Sequence, residues 1–178
     1  MSLLSNLVFI SRVGACIGDQ VFSCNATIRC TSELSKLSFP SASLRYARVR
    51  LGPSPDDERY AELILQAANT VRSSYKPFGD ASDTLVTKVL LGTLACLPAC
   101  DRFFIDGFKR SGQRYSYVNP PFVERMVRFC TEFKQELRQE QSRIALASGT
   151  DYPLMKLADM YFWQIGFEAA GELAEFEV

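Results

Sequence analysis

Four side chains stand out by type and position as groups that could do chemistry: Lys88, Asp101, Arg102 and Asp159. Lys88 follows Thr87 inside the apolar run that carries Leu85, Val86, Val89, Leu90 and Leu94. A lysine there either snorkels to the surface or is buried against a carboxylate, where its pKa shifts and it becomes a candidate acid or base. Asp101 and Arg102 are adjacent, so arginine holding phosphate beside a carboxylate base is chemically reasonable without histidine. Asp159 lies beside Ala158, Met160, Tyr161, Phe162 and Trp163, a setting in which a buried carboxylate requires a partner. Lys88, Arg102 and Arg125 are the distant candidates, and Lys156, three positions away, is the local one. Pairing Lys88 with Asp159 would fix the register of two apolar helices, with Asp101 as the competing partner. Stranding one member, as in Lys88→Met, would then cost about 3–5 kcal/mol.

The segment Pro98–Tyr117 is the densest in such groups. Arg102, Lys109, Arg110 and Arg114 alternate with Phe103, Phe104, Phe108, Tyr115 and Tyr117, and Gly107 and Gly112 loosen the backbone. Cations beside aromatics suit phosphate contact with base stacking, which makes Arg102, Lys109, Arg110, Arg114, Tyr115 and Tyr117 the candidate nucleic-acid or phosphate set. The competing reading places the phenylalanines in the core and the cations at a helix C-terminus.

Composition closes several routes. The 178 residues contain no histidine, which removes Ser-His-Asp and Cys-His catalysis, imidazole zinc sites and the histidine pH switch. No G-x-x-x-x-G-K-[ST] segment occurs, so P-loop hydrolysis is excluded. The six cysteines include no C-x-x-C pair, and neither a bound metal nor a cofactor is expected. Their number is low for a disulfide scaffold, which points to reduced thiols and a cytoplasmic protein. The apolar stretch Leu3–Ile10 has no basic residue ahead of it and is followed by Arg12, which opposes a signal peptide. No apolar run is long enough to span a membrane. Twenty basic residues balance twenty acidic ones, but residues 1–50 carry six basic against two acidic and residues 151–178 one against six. Ends of opposite sign favour self-association.

The elements that must position these groups read as mainly α. A compact bundle of about five helices is expected at roughly 57–75, 82–97, 99–108, 120–147 and 152–166, forming a helical domain over 56–178. The first has an apolar stripe of Tyr60, Ile64, Ala67, Ala68 and Val71 behind Asp56, Asp57 and Glu58. The second is capped by Ser82 or Asp83 and is apolar on most sides, so it is expected at the centre. Asn119 before Pro120 and Pro121 opens the fourth, and Gly166 ends the fifth. Residues 1–55 form an N-terminal arm or β-hairpin with a Ser/Pro-rich connector, the two forms fitting about equally well.

Two stretches carry a resemblance: Thr84–Gly92 running into Pro98–Phe104, and Tyr152–Trp163. Their "TK-LG–PA-D-F" and "MK-DM-FW" segments resemble a group of uncharacterised bacterial proteins of similar size, over roughly residues 60–168. The resemblance implies a bacterial or mobile-element origin and brings no activity with it. The helical order also resembles Fic-like domains, but the Fic histidine and Gly-Asn-Gly-Arg segment are missing, so AMP transfer is not implied.

The expected function is a non-catalytic helical module that binds a macromolecular partner, in bacterial defence or phage counter-defence. A protein partner or homo-oligomer is expected, through Phe167, Leu173, Phe176 or residues 1–30, with nucleic acid as a further option through residues 102–117. The alternative is a nucleotide- or nucleic-acid-acting enzyme using Lys88, Asp101 and Arg102.

Overall fold

The computed structural model describes residues 57–176, with side chains described over 60–171, and the N-terminal arm or hairpin expectation lies outside them. Among the described residues the elements are helical: α1 (Asp57–Tyr75) with a 3-10 turn at Lys76–Phe78, α2 (Asp83–Thr93), α3 (Arg102–Arg110), α4 (Pro120–Glu132), α5 (Lys134–Ser148) and α6 (Leu154–Phe176). The mainly α fold class is therefore as the periodicity predicts.

Local signals explain the starts. Ser82 Oγ accepts from the Leu85 N–H at 3.3 Å, and Asn119 Oδ1 accepts from the Phe122 N–H at 3.0 Å. Each satisfies one of the donors that a helix N-terminus leaves open. Asp101 does the same for α3, accepting from the Phe104 N–H at 3.1 Å, so this helix begins at Arg102 rather than at residue 99. Pro120 in the first turn has no N–H to leave unpaired.

Three further expected boundaries are corrected. The second helix stops at Thr93 instead of residue 97, because Ala95 turns into the left-handed region at φ 53°. Its N–H donates to Leu90 O at 2.9 Å, which closes the helix end as a glycine would. The expected helix over 120–147 is two helices that meet at Phe133, whose φ of −100° and ψ of 27° interrupt the spiral. The stripe Met126, Cys130, Leu137, Ile144 remains buried across the interruption, so the periodicity conceals it. The last helix continues through Gly166 to Phe176.

The core is centred on α3 and α6, not on α2. Phe104, Phe108, Phe122 and Phe162 are fully buried and meet mainly edge to face, with Phe108 and Phe162 at 5.1 Å and Phe104 and Phe162 at 5.6 Å. Around them α1 packs on α2 and α4, while α5 packs on α6. Two glycines permit the central pairing. A Cβ on Gly107 would lie 1.8 Å from the Phe162 carbonyl oxygen, and one on Gly166 would lie 2.0 Å from that of Phe103. Since Gly107 meets Phe162 while Gly166 meets Phe103, the helices run antiparallel with their backbones in direct contact. Gly107 and Gly166 thus serve as packing surfaces, neither a loosened backbone nor a helix stop.

Candidate functional site

The charged residues singled out in the sequence are brought close to one another, but in different pairs from those expected. Asp159 does not meet Lys88. Its Oδ2 accepts from Lys156 Nζ at 2.9 Å, the local pairing, and its Oδ1 accepts from the Ala99 N–H at 2.8 Å. Lys88 reaches Asp101 instead, at 3.9 Å, with the lysine side chain 41% exposed. The expected α2–α6 ion pair is thus corrected: i,i+3 geometry and an irregular backbone supply Asp159 with partners that need no second helix. Burial pushes the Asp159 carboxyl above its usual range, while Lys156 and the Ala99 N–H pull it back.

The segment 94–101 is the object these groups hold. Cys100 N–H donates to Thr87 Oγ1 at 2.9 Å, and Thr84 Oγ1 donates to Cys100 O at 2.8 Å. With Asp159 on Ala99 and Asp101 capping α3, the backbone polar groups of an irregular buried stretch find side-chain partners. Cys96 and Cys100, four residues apart, lie within this irregular segment and not on a helix, and both are buried. Burial pushes the thiols of Cys96, Cys100 and Cys130 up to about 12. At neutral pH they are protonated, and a protonated thiol is a poor nucleophile.

The basic and aromatic set separates into two groups. Tyr115 belongs to the core: its ring packs edge to face on Phe122 at 5.1 Å and its hydroxyl donates to Asp83 Oδ2 at 3.3 Å. Arg102, Lys109, Arg110, Arg114 and Tyr117 are exposed, Tyr117 by 60%. Arg125 is a support, its Nη2 donating to Arg114 O at 2.8 Å and so fixing the loop after α3.

The surface that the sequence reading saw only in part is an aromatic platform beside the glycine crossing. Trp163 and Phe167, one turn apart on α6, stack at 4.9 Å with an interplanar angle of 12°. Phe103 sets its edge against both, at 5.2 and 5.5 Å, and the Arg102 guanidinium lies 4.7 Å over the Phe103 ring. Phe167 is 46% exposed. The sequence names Phe167 as an interface residue and Phe103 among the aromatics beside the cations of 98–117, but gives Trp163 no such role. The signal that could have joined them is the Gly107–Gly166 crossing, which brings the two helices close enough for their flanking rings to meet.

Among the described residues no helix is long and apolar enough to cross a membrane. Nor do any three His, Cys, Asp or Glu side chains there gather as a metal-ligand set. Compared with known protein families, with curated proteins and with solved structures, the chain matches none.

Proposed function

We propose that the chain is a non-catalytic helical module that binds a macromolecular partner through the platform Phe103, Trp163 and Phe167 with Arg102 at its edge. The observation that carries this reading is the half-exposed Phe167 stacked on the partly buried Trp163 and braced by Phe103. Rigid aromatics and arginine are the side chains that dominate binding energy at interfaces, because they bury much area at low entropy cost. The residues on which catalysis would depend have structural work instead. Asp101 caps α3 through one carboxylate oxygen, Asp159 holds Ala99 and Lys156, and Lys88 sits 3.9 Å from Asp101 at the surface. The enzyme alternative built on Lys88, Asp101 and Arg102 therefore has less support. A cytoplasmic setting, in bacterial defence or phage counter-defence, is the one that fits the reduced thiols and the resemblance of residues 60–168.

The test replaces Phe167 with a photo-crosslinking phenylalanine analogue in the full chain, with Leu146, 90% exposed on α5, as the control position. The expected result in cell extract is one discrete adduct, to protein or nucleic acid, from position 167, lost when Arg102→Glu is added. Equal labelling from both positions, or none from 167, would contradict the reading. Conversely, if Asp101→Ala abolished the biological activity in a chain with unchanged circular dichroism and an intact adduct, the enzyme reading would replace it.

A further inference from the structure

We infer that the partner of this surface is a single-stranded nucleic acid, lying along the solvent side of α3 from the Trp163–Phe167 platform toward Tyr117. This rests on the reading above that the platform is a binding surface, and adds the chemistry of what it binds. Three features of the structure support it.

The first is charge. Residues 102–117 hold four cations, Arg102, Lys109, Arg110 and Arg114, against one carboxylate, Asp106. All four cations are exposed, and none is within ion-pair distance of a carboxylate among the described residues. Exposed cations without a carboxylate partner are available to replace the counterions of a phosphate backbone. An acidic peptide would satisfy the same charges, but the aromatic geometry favours bases.

The second feature is direction. The α3 face that packs inward carries Phe104, Gly107 and Phe108, all buried. Positions 102, 109 and 110 therefore project away from the core, along about 12 Å of helix at 1.5 Å per residue. Cations spaced along a rod match a chain of phosphates better than a single anionic group.

The third is the pair of aromatic surfaces toward the two ends of that row. Phe167 stacks on Trp163 and is half exposed near Arg102, since α6 runs antiparallel to α3 and Gly166 meets Phe103. Tyr117 is exposed in the loop that leaves the opposite end of α3. Stacking tolerates any base, because every base has a π-face. Binding is thus expected to discriminate single strands from duplex more than one sequence from another. Tyr115, anchored to Phe122 and Asp83, takes no part.

The experiment uses the full chain and fluorescence anisotropy with fluorescein-labelled oligothymidylate and oligouridylate of about 12 nucleotides, within the usual span of single-strand sites. The comparison probes are a duplex of the same length and a labelled oligoglutamate peptide. Both single strands are expected to bind at low salt, more tightly than the duplex or the peptide. Lys109→Ala with Arg110→Ala should weaken binding roughly tenfold and reduce the slope of log affinity against log salt by about 1.4, two phosphate contacts at about 0.7 each. Phe167→Ala and Tyr117→Ala should each weaken it about fivefold or more, the loss of one stacked base. Equal affinity for the duplex, equal affinity for oligoglutamate, or indifference to Lys109→Ala with Arg110→Ala would each overturn the inference. Absence of oligonucleotide binding with a discrete protein adduct at position 167 would also overturn it, while leaving the broader reading intact. Silence in both experiments would remove both.

Discussion

The α3–α6 crossing and the segment 94–101 join neighbouring helices by opposite means. At the crossing there is almost no chemistry: two glycines remove the side chains that would hold the backbones apart, and rings close over the flanks. At segment 94–101 there is little regular structure, and hydroxyls and carboxylates from α2, α6 and the N-cap of α3 hold the chain by its amides. Lys88 and Asp159 thus do not pair with each other, and Thr84, Thr87 and Asp159, polar residues in apolar helices, have structural partners here. They complete the hydrogen bonds of a buried loop, for which an apolar substitute would leave donors unsatisfied.

The comparison can be broken most forcefully at the glycines. Gly107→Ala and Gly166→Ala each put a methyl group into a carbonyl oxygen, and each should destabilise the chain by about 3 kcal/mol or more, measured by urea unfolding. Both should also reduce partner binding, because the platform is built on that crossing. A loss below about 1 kcal/mol would show that the helices separate at little cost.

At the polar segment, Asp159→Ala leaves the Ala99 N–H buried without an acceptor and should cost about 2–3 kcal/mol. Asp159→Asn retains an acceptor and should cost less than about 1 kcal/mol. Equal losses would assign the role of Asp159 to its charge.

The pH dependence sharpens this further. The folded Asp159 carboxyl is raised above its usual 3.8, so between that value and the folded pKa the native chain binds the extra proton. Stability from this group is then complete below the unfolded pKa and is lost as pH rises through the folded one. Lys156 opposes the shift, so Lys156→Met should raise the folded pKa and extend the loss to higher pH. Unfolding curves between about pH 4 and pH 8 should show the gap between variant and parent widening as pH rises. A constant gap would contradict the assignment.

Ala95 offers a smaller, opposite effect. It holds φ 53°, which costs an L-residue about 1–2 kcal/mol. Ala95→Gly should raise stability by about 0.5–1 kcal/mol, less than the strain because glycine also loosens the unfolded chain.

Legibility in the sequence followed the locality of the signal. The first helix was readable at both ends, from the acidic start at Asp57 and the Pro77–Gly79 stop beyond Tyr75. The caps at Ser82 and Asn119 were readable for the same reason. The break at Phe133 was not, because its neighbours keep the helical period and no proline or glycine marks it. Gly166 misled, since a glycine that ends a helix and one that admits a neighbouring backbone look alike in one dimension. At the candidate site the exposed cations of α3 were legible as a cluster. That Trp163 and Phe167 face Phe103 depends on contacts across about sixty residues of chain, and that Tyr115 turns inward depends on Phe122 and on Asp83 of another helix.

Asp159 serves the buried backbone at Ala99 and does not pair with Lys88. The most direct measurement is a double-mutant cycle in urea with Lys88→Met, Asp159→Ala and the two combined. Lys88 is partly exposed, and its 3.9 Å approach to Asp101 is worth no more than about 0.5 kcal/mol. The expected result is a small loss for Lys88→Met, a loss several times larger for Asp159→Ala, and a coupling below about 0.5 kcal/mol. A coupling above about 1 kcal/mol, or a Lys88→Met loss of about 3–5 kcal/mol, would instead show that Lys88 and Asp159 pair directly.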